Sequence, residues 1–144
     1  MKVVVQRSKK SSVSVDGKMV SVINKGLVLL VGFTEGDTEE KLVNMARKVT
    51  NLRIFDDEAG IMNKSILDVG GSVLSISQFT VYGDATKGNR PSYIKAMKGD
   101  EAIVLYEKFN AELNKYVETL PGVFGADMEV SITNSGPVTI ILEM

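Results

Sequence analysis

The sequence predicts a single α/β domain over residues 1–144, in which mainly antiparallel or mixed β-sheets form a sandwich or barrel with two helices packed on one face. Three observations carry this expectation. Short apolar segments that alternate at period two recur along the chain. Only two stretches repeat their apolar residues at helical spacing. No internal repeat, low-complexity tract or Pro/Ser-rich linker divides the chain, and its length suits one sizeable core.

In order, residues 2–7 read as a strand. Residues 12–15 and 19–23 alternate around Asp16-Gly17, a hairpin signal. Residues 26–33 form a near-continuous apolar run, as a central strand does. Asp37 offers a helix cap, with Glu40 at the capping-box distance. Leu42, Met45, Ala46 and Val49 then give a helix over 38–50 with one buried face. Residues 51–55 look extended, 57–60 form a turn, and 71–79 alternate as a further strand. Residues 82–99 form a long loop. Asp100 caps a second helix, whose stripe is Ala102, Leu105, Phe109, Leu113 and Tyr116, and Pro121-Gly122 closes that region. Two late strands, 128–133 and 138–142, are joined by Asn134-Ser135-Gly136-Pro137.

The chain has neither cysteine nor histidine. Disulfides, thiolate chemistry, Ser-His-Asp triads and histidine-held metals are therefore excluded, and no metal or cofactor is expected. Any base must be a carboxylate, a lysine, the backbone or a group of the substrate. The net charge of −1 rules out a strongly basic nucleic-acid binder, so RNA contact would need a local patch. Such a patch is available in residues 87–98, where Lys87, Arg90, Lys95 and Lys98 stand without an acid, and Lys9 and Lys10 extend it. Tyr93 within this loop could stack on a terminal base. No segment approaches a membrane span, and the apolar N-terminal run is too short for a signal-peptide core. A cytoplasmic protein is expected.

Two segments are more specific: Ser77-Gln78-Phe79-Thr80 at a strand end, and Asn134-Ser135-Gly136-Pro137-Val138-Thr139 between strands. With Gln6-Arg7, Arg53-Ile54-Phe55, Met62-Asn63, Gly70-Gly71-Ser72-Val73, Gly88-Asn89-Arg90-Pro91-Ser92 and Phe124-Gly125-Ala126-Asp127-Met128, they run in order through nearly the whole chain. Together they resemble the D-aminoacyl-tRNA deacylase (D-tyrosyl-tRNA deacylase) family.

The resemblance implies an editing hydrolase that cleaves the ester of D-aminoacyl-tRNA, extends to glycyl-tRNA and rejects L-aminoacyl-tRNA. It implies a homodimer in which a cis Gly136-Pro137 carries its carbonyl oxygens into the partner's active site. There the carbonyls receive the substrate's ammonium group and exclude an L side chain. Asn134 belongs to that chirality filter. Arg7, at a strand end, reads either as a solvated charge or as a guanidinium that pins the carbonyls of the Gly136-Pro137 loop. Ser77, Gln78, Phe79 and Thr80 form the catalytic segment, with backbone N–H groups around Phe79 and the Gln78 side chain stabilising the oxyanion. Phe124 and Met128 are pocket walls, and a free ribose hydroxyl of the tRNA helps to activate water.

The residues themselves are compatible with these roles. Glycine lets a backbone approach a ligand closely, and proline fixes the direction of the neighbouring carbonyl. Taken alone, a Gly-Pro pair between strands is an ordinary turn, and Ser77-Gln78-Phe79-Thr80 is a strand end with one aromatic. Thr80 invites a nucleophile assignment, but no histidine exists to activate it. A non-catalytic RNA-binding module and an RNA-independent hydrolase of D-amino-acid esters are the competing readings.

Overall fold

In the computed structural model, which describes residues 1–144, the first strand shows how the layers arise. β1 (Lys2–Ser8) buries Val3 and Val5 and leaves the alternate Lys2, Val4 and Gln6 half-buried. β2 (Ser11–Val15) and β3 (Lys18–Ile23) form the expected hairpin. Its turn needs positive φ at both centres, which Asp16 and Gly17 adopt at 51° and 75°. β4 (Gly26–Gly32) is buried on both faces: Leu27, Leu29 and Val31 point to one core and Val28 to the other. Burying each such side chain contributes about 1.5–3 kcal/mol.

α1 (Glu39–Thr50) follows, with Leu42, Met45, Ala46 and Val49 inside as its spacing predicts. Its cap is Thr38, whose hydroxyl accepts from the Lys41 N–H at 3.4 Å. Asp37, the expected cap, is drawn elsewhere. It takes the buried Met1 ammonium at 2.5 Å and the Thr34 N–H at 2.9 Å.

β5 (Phe55–Asp56) and β6 (Met62–Lys64) make a small separate hairpin. α2 (Ile66–Val69) is a single turn closed by a reciprocal Ser65/Asp68 capping box. β7 (Ser72–Ser77) ends earlier than predicted, because Phe79–Tyr82 wind into one 3-10 turn.

α3 (Gly99–Asn114) starts beyond Lys98, with Asp100 in its first turn rather than at its cap. There the carboxylate still complements the helix dipole. Its buried stripe is Ala102, Tyr106, Phe109, Asn110 and Leu113. Tyr116 lies past the helix end and is exposed.

β8 (Thr119–Pro121), β9 (Glu129–Ser131) and β10 (Asn134–Glu143) complete the chain. Asn134-Ser135-Gly136-Pro137, expected as a turn between strands, is instead the irregular start of β10. Asn134 already pairs with Ser8, and the register against β1 shifts before Thr139 meets Gln6.

The main sheet runs β10-β1-β4-β7-β8; β4–β7 and β7–β8 are parallel and the rest antiparallel. α1 and α3 cover one face over the larger core, which includes Val3, Leu27 and Val73. The sheet β3-β2-β9 covers the other face, over Val13, Ile23, Val28, Leu74 and Ile76. The mixed, sandwich-like reading therefore holds, and the main sheet does not close into a barrel. No helix is long and apolar enough to cross a membrane.

Candidate active site

The parallel strands β4 and β7 end side by side, with Val31 opposite Ser77. Open α/β sheets place ligand sites at such carboxyl ends. A mostly apolar cavity of about 500 Å³ lies there. Ser77, Gln78 and Phe79 form one rim, while Phe124 and Met128 form a wall on the segment before β9. Three chain regions, far apart in sequence, are thus brought to one place.

The turn after β7 is set by hydrogen bonds. The Gln78 N–H donates to the Val31 carbonyl at 2.8 Å, which ties the turn to β4 and removes that N–H as a donor to any ligand. The Val81 N–H returns to the Gln78 carbonyl at 3.4 Å. The Phe79 and Thr80 N–H groups, at the start of the turn, therefore have no partner within it. The Gln78 amide donates to the Thr80 hydroxyl at 2.5 Å and keeps one N–H free. Thr80 lies outside the cavity lining.

Phe79 is 55% exposed and meets Tyr93 edge-on, with ring centroids 5.1 Å apart. Tyr93 thereby becomes part of the wall. Phe124 packs on Tyr106, whose hydroxyl donates to the Ser75 carbonyl at 2.7 Å. Burial raises the Tyr106 pKa, so that hydroxyl stays protonated as a structural donor. No carboxylate and no ammonium lines the cavity. It can bind, orient and donate hydrogen bonds, but it offers no acid–base pair.

Gly32 was not anticipated. A Cβ on it would stand 2.3 Å from Val81 Cγ2 and 3.1 Å from the Gln78 carbonyl oxygen. The only sequence signal was a glycine closing an apolar strand.

Gly136, Pro137, Arg7 and Asn134 gather at a second place and do not line the cavity of their own chain. The Gly136–Pro137 bond is cis, and both residues are exposed. Gly136 has φ 113°, a conformation that L side chains rarely adopt. Arg7 Nε donates to the Ser135 carbonyl at 3.2 Å. The Asn134 amide donates to the carbonyls of Arg7 and Val138, both at 3.0 Å, and its oxygen accepts from Gln6 and Thr139. One side chain thereby spans the bulged segment and satisfies its backbone.

Lys87, Arg90, Lys95 and Lys98 are all exposed. Lys95 stands 3.8 Å from Asp84, a residue just before the acid-free run, so its charge is partly offset.

A family model described as D-Tyr-tRNA(Tyr) deacylase matches residues 4–143. The chain belongs to this family. Membership bears out the resemblance read from the sequence and makes the protein a deacylase, a carboxylic ester hydrolase. A D-aminoacyl-tRNA deacylase of Thermus aquaticus is 53% identical over 99% of this chain and 95% of its own length. A solved structure named "c-Myc DNA Unwinding Element Binding Protein" superposes with a TM-score of 0.95 at 42% identity, over 100% of this chain and 99% of that one. Another, named "Structural Analysis of a probable eukaryotic D-amino acid tRNA deacylase", has a TM-score of 0.85 at 16% identity. It covers 99% of this chain and 98% of its own, and so shares the fold.

Proposed function

We propose that the protein hydrolyses the ester of D-aminoacyl-tRNA in the cytoplasm, as a homodimer of single-domain chains. It releases the D-amino acid and free tRNA and spares L-aminoacyl-tRNA. The observation that carries this reading is the cavity itself: apolar, of aminoacyl size, rimmed by backbone donors and free of ionisable acid–base pairs. An aminoacyl ester brings its own neighbouring ribose hydroxyl. A site that holds the ester carbonyl against the Phe79 N–H and the free Gln78 amide N–H needs no histidine. One such donor is worth roughly 2.7–4 kcal/mol. Thr80 is then a structural acceptor for Gln78 rather than a nucleophile.

The filter is Gly136-Pro137. Its exposure, and its absence from the lining of its own chain's cavity, suit a segment that enters a partner's cavity across a two-fold interface. The backbone carbonyls receive the α-ammonium group, so an L side chain meets backbone and a D side chain points away. Phe124 and Met128 wall the cavity. Lys87, Arg90, Lys95 and Lys98 bind phosphates. A DNA-binding reading, prompted by the name of the c-Myc DNA Unwinding Element Binding Protein, would use the same exposed cations.

The test is deacylation of matched D-, L- and glycyl-tRNA, with duplex DNA as competitor. D-aminoacyl- and glycyl-tRNA should be cleaved and L-alanyl-tRNA spared, because glycine offers the filter nothing to exclude. Similar rates for glycyl- and L-alanyl-tRNA would overturn the filter. No release from any charged tRNA, with DNA displacing tRNA efficiently, would favour the binding module. Light scattering showing a fully active monomer would remove the dimer.

A further inference from the structure

We propose that the β5–β6 hairpin is a bracket that positions Ser135-Gly136-Pro137, acting through Arg7. Asp56 and the set Arg53, Asn63 and Asp57 are then positioning residues for D-over-L selectivity. The inference rests on the Gly-Pro reading above and extends it to a region that reading does not use.

Arg7 reaches in two directions at once. Its Nε donates to the Ser135 carbonyl at 3.2 Å, and its Nη1 donates to the Ile54 carbonyl at 2.9 Å and to Asp56 Oδ1 at 3.4 Å. Its Nη2 lies 2.8 Å from where a Cβ on Gly136 would stand. The Arg7 side chain is only 13% exposed. A guanidinium is planar and rigid, so one edge cannot shift without moving the other. The place of Ile54 and Asp56 therefore sets the place of the Ser135 carbonyl, immediately before the filter.

The hairpin could not hold that place on its strands alone. β5 and β6 have two and three residues, with an irregular register, and join neither larger sheet. An isolated pair of strands is marginal in water. Ile54 and Phe55 root its base in the core. A chain of polar bonds shapes the rest. Arg53 donates to the Asn63 carbonyl at 3.0 Å and to its side-chain oxygen at 2.8 Å. Asn63 donates to Asp57 Oδ2 at 2.8 Å, and Asp57 Oδ1 accepts the N–H groups of Ala59 and Ile61 at 2.9 and 3.0 Å. These bonds are exposed and contribute little to global stability. None of these residues lines the cavity. Their geometric effect is to fix the hairpin that Arg7 grips.

The experiment compares Asp56→Ala, Asp56→Asn, Asn63→Ala, Arg7→Ala and Gly136→Ala, each with D- and L-aminoacyl-tRNA under single turnover and with a thermal melt. Asp56→Ala and Asn63→Ala should lower the D-over-L ratio roughly two- to fivefold, the scale of one exposed charged contact, without lowering the melting temperature. Asp56→Asn keeps an acceptor oxygen for Arg7 and should retain most of the ratio, a rescue that a general folding defect would not show. An unchanged ratio in Asp56→Ala and Asn63→Ala, while Arg7→Ala or Gly136→Ala lowers it, overturns the bracket and leaves the filter standing. An unchanged ratio in all five would overturn the Gly-Pro reading itself, and the bracket with it. Gly136→Ala separates these outcomes if Arg7→Ala does not fold.

Discussion

Replacing Gly32 with alanine tests whether the 3-10 turn after β7 carries the catalytic donors. The added methyl would sit 2.3 Å from Val81 Cγ2, 3.1 Å from the Gln78 carbonyl oxygen and 3.2 Å from Tyr82 Cδ2. An ordinary contact is about 3.5–4 Å, so relief needs a shift of about 1.2–1.7 Å. Valine is stiff at χ1, and the Gln78 carbonyl already accepts from Val81, so the relief must come from the turn itself. Overpacking of this kind costs about 1–3 kcal/mol, which lowers the melting temperature by roughly 2–4 °C per kcal/mol near this chain length. The effect on catalysis should be larger in kind. An oxyanion donor moved by about 1 Å forfeits most of its worth, a loss of roughly 10²–10³ in kcat. The assay is single-turnover release of D-amino acid, alongside tRNA affinity and a melt. The expected result is a collapsed rate with affinity within about twofold. A variant that melts lower yet deacylates normally would refute the placement of the donors on this turn.

Other expectations follow from the same geometry. Asp37→Ala leaves the buried Met1 ammonium without its carboxylate and should cost about 3–5 kcal/mol in urea denaturation; a loss below about 1 kcal/mol would contradict the burial of that pair. Thr80→Ala should keep much of the activity, because the hydroxyl has no base to activate it; a trapped acyl-enzyme on Thr80 would reverse that reading. Changing Lys87 and Arg90 to alanine should weaken tRNA binding at unchanged D-over-L preference. The salt dependence should flatten by roughly 0.7–0.9 log units per log unit of salt for each lost contact, and an unchanged slope would move the phosphate site elsewhere.

Asp57 offers a pH signature. The Asn63 side chain first, then the Ile61 N–H, hold its pKa below the usual aspartate range. Its folded-state pKa is depressed, so the hairpin's stabilisation is complete above the ordinary aspartate pKa and is lost as pH falls through the lower folded value. Hydrogen exchange at Ala59 and Ile61 should follow that course, and Asp57→Asn should flatten it.

The legible parts of the sequence were those with strong periodicity. Val3 and Val5, the Asp16-Gly17 hairpin, and Leu42 to Val49 each announced an element because one face is buried, and the apolar run through Gly32 did so because both faces are. β8 was not legible: three residues ending in Pro121 have no period to read. Nor was α2, which depends on the local Ser65/Asp68 exchange rather than on an apolar face. Strand pairing is a long-range property, so nothing in Gln6 announces Thr139 as its partner. The site was half visible. Ser77, Gln78, Phe79, Phe124 and Met128 line one cavity and Thr80 of the same segment does not, whereas Gly32 shapes it through what it lacks, and Arg7's second grip on Ile54 uses a backbone carbonyl that side-chain identity cannot reveal.

The pairing of β1 with β10 also dictates an order of assembly. Lys2 finds Gly32 early in synthesis, but its other neighbour, Glu143, is made more than a hundred residues later. Contacts this distant in sequence slow folding, and a nascent chain exposes the vacant side of β1 while it waits. The cavity's walls end at Met128, so in chain order they precede Gly136 and Pro137. Each copy's pocket is thus encoded ahead of the segment proposed to police its partner's.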